Sequence, residues 1–396
     1  TKLCLSSNYS FMSFQAALEY VFKISESERL VLVIDEYPYV AKSSKSLAST
    51  LQMLIDKNKD NSKLMLILCG SSMSCMEDNV LAYKAPLYGR RTAQMKILPF
   101  DFGDACKYFN RFSPEDMAMV YGLVGGTPQY LLQMDDHISI EDNIKNVFLN
   151  PSSSIFEEPE NLLKQEVREP AVYNAIITAV AAGSSRISEV ATKIGETTSV
   201  CAQYIKNLIG LGIILKETPY GEKESRRSVY AIADNMFRFW YRFVPDNNSI
   251  ISRGAADLAY KRIEPALSDY MGKIFEEISM QYLWKLLLNG ESPIEFMDLG
   301  RWWGTDPKEK IQTEIDIMGE QDKNTVLFGE CKWINENVDV KVLEKLKNRS
   351  RLFRYEHAHL YLFAKKGFTQ GCIDEAEKMG NVSLVTYGEM YRYMTK

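Results

Sequence analysis

Three ionisable residues toward the C-terminal end of the chain have the types and spacing for metal-assisted hydrolysis. Asp316 lies in the run EID from Glu314. Glu330 and Lys332 lie in GECKW from Gly329, with thirteen residues between Asp316 and Glu330. Two carboxylates offer hard oxygen ligands to Mg²⁺ or Mn²⁺, and a lysine beside them can orient or activate a water. Residues 313–318 alternate polar with apolar, and residues 326–333 form an apolar run that ends in charge, so both read as strands. Side chains alternate faces along a strand, so Glu330 and Lys332 point the same way. Cys331 points the other way, as a core thiol. A hairpin between the two strands brings Asp316 beside Glu330.

Residues 260 onward read as a helix that carries Phe275, Glu276 and Glu277. The ordered set of helix, EID strand and ExK strand resembles the PD-(D/E)xK nuclease-like fold, whose core motif is D-x(n)-E-x-K and whose early helix donates a glutamate. The resemblance implies that Asp316 and Glu330 bind metal, that Lys332 assists the water and that Glu276 supports the site, with Glu277 as the alternative. Lys341, Lys345, Lys347, Arg349, Arg351 and Arg354 then read as a basic helix suited to phosphates.

The composition is that of an ordinary globular protein. The 396 residues are 46% hydrophobic and 25% charged, with a formal net charge of −5. That balance excludes a whole-chain basic field, so nucleic-acid binding requires a local patch. Seven cysteines are scattered without a CxxC pair and there are three histidines, which argues against zinc and for reduced thiols in a cytoplasmic protein. No apolar run approaches the roughly 20 residues of a membrane span.

The N-terminal part reads as a nucleotide-binding sheet. LVLVIDE from Leu30 and LMLILCGSS from Leu64 are buried strands, and a helix over residues 46–57 joins them. Such strands predict a parallel sheet covered on both faces, with ligands at the strands' carboxyl ends. Asp35 there would hold Mg²⁺, Glu36 would polarise water, and Ser71 or Ser72 would sense a γ-phosphate. Arg90, or equally Arg91, could reach transition-state charge. An arginine acting in trans implies a ring or dimer, hence a homo-oligomer. In order, LVLVIDE, LCGSS, LYGRRT, LPF and the GGTPQYL run from Gly125 resemble the archaeal-type ATPase family, a branch of the AAA+/STAND NTPases. The resemblance implies that the turn at Pro128 approaches adenine. The phosphate loop GxxxxGK[ST] is absent from these 396 residues, and the chain starts at Thr1. ATP is therefore expected as a cofactor only if an upstream phosphate loop is present, and this chain is expected not to hydrolyse it.

Ser113 followed by Pro114, Glu115 and Asp116 starts a helix, and residues 114–150 read as lid helices. A further helix is expected from about Pro159 to Val167. Three helices over residues 172–182, 187–194 and 198–211, followed by two strands around a charged turn, resemble a winged helix-turn-helix. Val200, Tyr204, Leu208 and Leu211 are expected inward. Gln203, Lys206 and Asn207 face a DNA groove, and Arg226 and Arg227 in the wing meet phosphates. The aromatic segment from Asp234 resembles the one that precedes the C-terminal domain of unknown function in this family.

The expected fold is thus α/β multidomain. Residues 1–112 form a truncated P-loop-type ATPase core lacking Walker A and 113–168 a helical lid. Residues 169–245 form the winged helix-turn-helix and 246–396 the restriction-endonuclease-like α/β domain. The expected function is nucleotide-controlled action on DNA, with a non-catalytic DNA- or protein-binding regulatory module as the alternative.

Overall fold

The computed structural model describes residues 11–396, apart from 71–75, 77–79, 81, 84, 224–226 and 308. Ser71, Ser72 and Arg226 lie outside the described residues. The chain divides into two compact units, Thr1–Ile97 and Leu98–Lys396. Both mix helix and strand, so the protein is a multidomain α/β chain. Among the described residues, no helix is long and apolar enough to cross a membrane.

In the first unit, helix α1 (Phe14–Ser25), strand β1 (Leu30–Ile34), helices α2 (Tyr37–Ser43) and α3 (Leu47–Asn58) and strand β2 (Leu64–Leu68) follow in order. β1 and β2 pair in parallel with Leu30 opposite Leu64. Leu18, Phe22, Leu47, Leu51 and Leu54 form the core with the inner faces of these strands. The expected double covering is not found among the described residues, because α1 and α3 pack on one face only. Val31, Val33 and Met65 remain exposed on the other.

In the second unit, α4 (Pro114–Val124) starts with a capping box between Ser113 and Asp116. Then come α5 (Pro128–Leu131), α6 (Ile140–Phe148) and α7 (Ser154–Glu166). Helix α7 begins five residues before the expected Pro159. Ser153 caps it, and Pro159 sits inside the helix. Near its start a proline forfeits only one backbone bond. Residues 98–112 belong with this unit, since the Phe100 amide donates to the Gly126 carbonyl at 2.9 Å.

Helices α8 (Pro170–Ala181), α9 (Ile187–Ile194) and α10 (Thr198–Gly210) lead into β3 (Ile214–Glu217) and β4 (Val229–Ile232), an antiparallel hairpin. The buried stripe of α10 is Cys201, Ile205 and Leu208, whereas Val200 is exposed. Of the residues expected inward, Leu208 is buried and Tyr204 and Leu211 pack against the core; only Val200 lies outside it, with Cys201 and Ile205 buried beside them.

Helix α11 (Asn235–Phe243) buries all five of its aromatic residues, and the 33-residue α12 (Ala256–Leu288) crosses to the last sheet. That sheet has the order β5 (Gly300–Thr305), β6 (Gln312–Glu320), β7 (Thr325–Lys332), β8 (His357–Ala364) and β9 (Val382–Thr386). β5 to β7 are antiparallel, and β7 to β9 are parallel. Helices α13 (Val340–Ser350) and α14 (Gln370–Met379) supply the parallel crossovers, and α15 (Tyr387–Met394) ends the chain. Leu360, Leu362 and Ala364 join one apolar cluster while Tyr361 and Phe363 join the other. This sheet is therefore covered on both faces. The basic helix is shorter than expected. It ends at Ser350, so Arg351 and Arg354 lie beyond it.

Candidate metal and carboxylate site

The Asp322 carboxylate accepts the Asn324 and Thr325 amides, each at 2.8 Å, and closes the turn between β6 and β7. The ladder pairs Ile317 with Gly329. One step further, Asp316 and Glu330 reach the same level, as the hairpin expectation requires. Asp316 Oδ2 accepts the Cys331 amide at 2.9 Å.

A β-bulge aims Asp316. Gly300 pairs with Met318 and Trp302 with Ile315, so Asp316 and Ile317 together face the single residue Arg301. Strict alternation would put Ile315 and Ile317 on one face. The extra residue breaks it: Ile315 and Met318 join one apolar cluster and Ile317 the other.

Asp316 and Glu330 are 7% and 5% exposed. Glu330 Oε1 takes the Lys332 ammonium at 2.7 Å, and Oε2 takes the Arg349 guanidinium at 2.9 Å. Arg349 thus turns inward from the basic helix to a carboxylate. Lys347 likewise pairs with Glu375 at 3.2 Å. Glu276 meets Lys273 at 3.0 Å and Arg301 at 3.4 Å. Its neighbour Glu277 pairs with Arg238 at 2.8 Å, one helix position round, which leaves Glu276 as the residue aimed at the cluster. Burial, reinforced by Glu330 and Glu276, pushes the Asp316 carboxyl up to about 7. Burial also raises the Glu276 carboxyl despite Lys273 and Arg301. The Cys331 thiol is raised well above its ordinary value, chiefly by burial, which fits a core residue.

A hard divalent cation fits this donor set. Burial first, and then the neighbouring Glu330 and Glu276, disfavour the Asp316 carboxylate, a cost that a cation would offset. Among the described residues, Asp135, Asp136 and His137 are the three such side chains whose ligand atoms all lie within 4.8 Å of one another. Glu276, Asp316 and Glu330 do not meet that spacing, and Mg²⁺ takes one or two carboxylates with several waters.

Elsewhere the expected residues fall in separate places. Asp35 and Glu36 are exposed at the carboxyl end of β1. Glu36 is in the left-handed region (φ 48°), and its amide donates to Asp35 Oδ1 at 2.9 Å. Arg90 is not poised as a free finger: Asp56 on α3 holds its guanidinium through two bonds of 2.7 Å. Pro128 is exposed at the first position of α5, in the second unit. There Gly125 has φ 64°, and a Cβ on Gly126 would strike the Phe100 carbonyl. Gln203 and Lys206 are exposed on α10, whereas Asn207 donates to the Tyr173 hydroxyl at 2.6 Å. Arg227 is not directed at a phosphate. Its guanidinium donates to the Trp303 carbonyl at 2.8 Å and pairs with Glu222, because the hairpin docks on β5 and brings it there.

The sequence reading passed over Glu217, Lys273 and Arg301. Lys273 was visible as an i,i+3 partner of Glu276. Glu217 and Arg301 meet at 3.1 Å only through tertiary docking, which no local pattern announces.

The strand ends, carboxylate cluster and GGTP turn sit in a chain of the archaeal-type ATPase class joined to a domain of unknown function. Residues 4–134 match a family described as an ATPase domain predominantly from Archaea. Residues 240–345 match one described as archaeal and bacterial proteins of unknown function. An uncharacterized protein of Methanocaldococcus jannaschii is 32% identical over 326 residues, covering 81% of this chain and 72% of the relative. The chain belongs to the family of that protein. Among solved structures, it is similar to the Walker-type ATPase PABY2304 of Pyrococcus abyssi, at 19% identity and TM-score 0.45, over 60% of this chain and 72% of that one. It is also similar to VC1899 from Vibrio cholerae, at 11% identity and TM-score 0.27, over 95% and 93%.

Proposed function

We propose that the carboxylate cluster of the second unit is a divalent-cation site for hydrolysis of phosphodiesters in DNA. The observation that carries this is the buried Asp316, raised to about 7 by burial with Glu330 and Glu276, beside the Glu330–Lys332 pair. Asp316 and Glu330 would hold Mg²⁺ or Mn²⁺, and Glu276 would support them. The bound cation supplies Lewis-acid stabilisation of the phosphate and a more acidic water. Lys332, held at Glu330, donates to the attacking water and fixes its approach. Gln203, Lys206 and Asn207 on α10 would lie toward DNA, in a winged helix-turn-helix reading of α8 to β4. The ATPase domain would place this action under nucleotide control, with Asp35 and Glu36 at the nucleotide.

The test is conversion of supercoiled plasmid in Mg²⁺ by the full chain. Asp316→Ala and Glu330→Ala should each abolish it while melting as cooperatively as wild type. Equal cleavage by either variant would sink the assignment.

One observation favours a second reading, a non-catalytic DNA- or protein-binding regulatory module. Lys332 and Arg349 already satisfy both oxygens of Glu330, as an idle site would. In that reading no metal binds in a Glu330-dependent way.

A further inference from the structure

The β3–β4 hairpin belongs in sequence to the three-helix segment, yet it is bonded along the edge of the C-terminal sheet. The Tyr220 amide donates to the Arg301 carbonyl at 2.8 Å. Arg227 donates to the Trp303 carbonyl at 2.8 Å, and the Trp303 indole returns a bond to the Arg227 carbonyl at 3.0 Å. Gly304 makes room for this exchange, since a Cβ there would lie 2.7 Å from the Arg227 guanidinium. Docking in this register carries Glu217, the last residue of β3, into the carboxylate cluster.

Arg301 is the centre of what results. It stands opposite the bulge at Asp316 and Ile317. Its guanidinium donates to Glu217 at 3.1 Å and to Glu314 at 3.2 Å, and its Nε forms an ion pair with Glu276 at 3.4 Å without a hydrogen bond. Lys273, the other cation on Glu276, lies 3.9 Å from the same Glu217. A planar fork of five donors can orient several carboxylates at once, whereas an ammonium acts as a point charge. The ion pair with Arg301 restrains Glu276, a carboxylate that acts directly on Asp316.

We propose that Glu217 and Arg301 are positioning residues of the cation site: Glu217, on the docked hairpin, holds the Arg301 fork, and Arg301 holds Glu276 beside Asp316. This rests on the carboxylate cluster binding a divalent cation. It adds that a side chain of the hairpin, Glu217, takes part in supporting the site through Arg301.

The test is calorimetric titration of the full chain with Mn²⁺, with melting followed by circular dichroism. Outer partners of metal ligands typically contribute about 10–100-fold to affinity. Glu217→Gln and Arg301→Lys should each weaken Glu330-dependent Mn²⁺ binding about tenfold. Lysine fails because it keeps the charge and loses the fork. Arg227→Gln removes a hairpin contact at Trp303 while the Tyr220–Arg301 bond and Glu217 remain in place, and should stay within about twofold of wild type. Wild-type affinity in Glu217→Gln and Arg301→Lys overturns this inference alone. So does a loss in Arg227→Gln as large as theirs, since docking in general would then account for it. Wild-type protein with no Glu330-dependent binding overturns the cation site and this inference together.

Discussion

The Arg349 guanidinium lies 2.9 Å from Glu330 Oε2, on the carboxylate oxygen opposite the one that Lys332 holds. The glutamate of the ExK motif is thus clamped by two cations, one from its own strand and one from α13. A divalent ion entering the site competes with the guanidinium for that oxygen. Arg349→Met keeps the length of the side chain and removes the charge. It should raise Mn²⁺ affinity about tenfold, equivalent to about 1.4 kcal/mol. Titration of the variant beside wild type checks this, and a weaker affinity would mean that Arg349 supports the site instead of competing for it.

Asp316 predicts a pH dependence with a definite sign. Its ordinary carboxyl value is 3.8, and in the fold it is pushed up to about 7, chiefly by burial and then by Glu330 and Glu276. Between those values the folded chain binds a proton that the unfolded chain has released, so metal-free stability falls as pH rises through about 4 to 7. Above about 7 both states are ionised and the loss is complete. The effect is on the order of a few kcal/mol. Asp316→Asn should flatten this part of a denaturant-midpoint profile. Mn²⁺ affinity should climb over the same range, because binding must displace the proton.

Gly126 should be intolerant of even one methyl group. Its amide plane lies against Phe100, whose own amide donates to the Gly126 carbonyl at 2.9 Å. A Cβ would collide with the Phe100 backbone, which no side-chain rotation relieves. Gly126→Ala should cost about 2–3 kcal/mol and lower the melting temperature of the second unit by roughly 5 °C or more.

The two groups of residues expected at DNA should separate in a binding experiment. Gln203 and Lys206 are exposed on α10, whereas Arg227 is committed to Trp303 and Glu222. Lys206→Ala should weaken duplex binding evenly across sequences and reduce the salt slope by about 1. Arg227→Ala should instead loosen the hairpin and leave the slope unchanged. Fluorescence anisotropy at several salt concentrations distinguishes them.

Much of the local structure was legible because local signals agreed. The stripe Ile187, Val190, Ala191 and Ile194 gave α9 its observed bounds, and Ser113 with Asp116 marked the start of α4. The ExK alternation placed Glu330 and Lys332 on one face of β7, where they bond. The bulge at Asp316 was not legible, since a period-two reading has no place for two residues opposite one. Arg349 read as part of a basic helix suited to phosphates, because nothing in a helix pattern tells such an arginine from one turned to a buried carboxylate. Glu217 and Arg301 lie 84 positions apart and meet only in the docked fold. Electrostatic partners chosen across domains are the part of such a site that sequence periodicity leaves unseen.

The measurement that bears most directly on the account is Mn²⁺ binding to the full chain at about pH 8, where Asp316 is ionised, beside Glu330→Ala. The account predicts saturable binding in wild type that is lost in Glu330→Ala while both proteins melt alike. Equal binding in the two, or none in either, would contradict a cation site at Asp316 and Glu330 and leave the regulatory reading in its place.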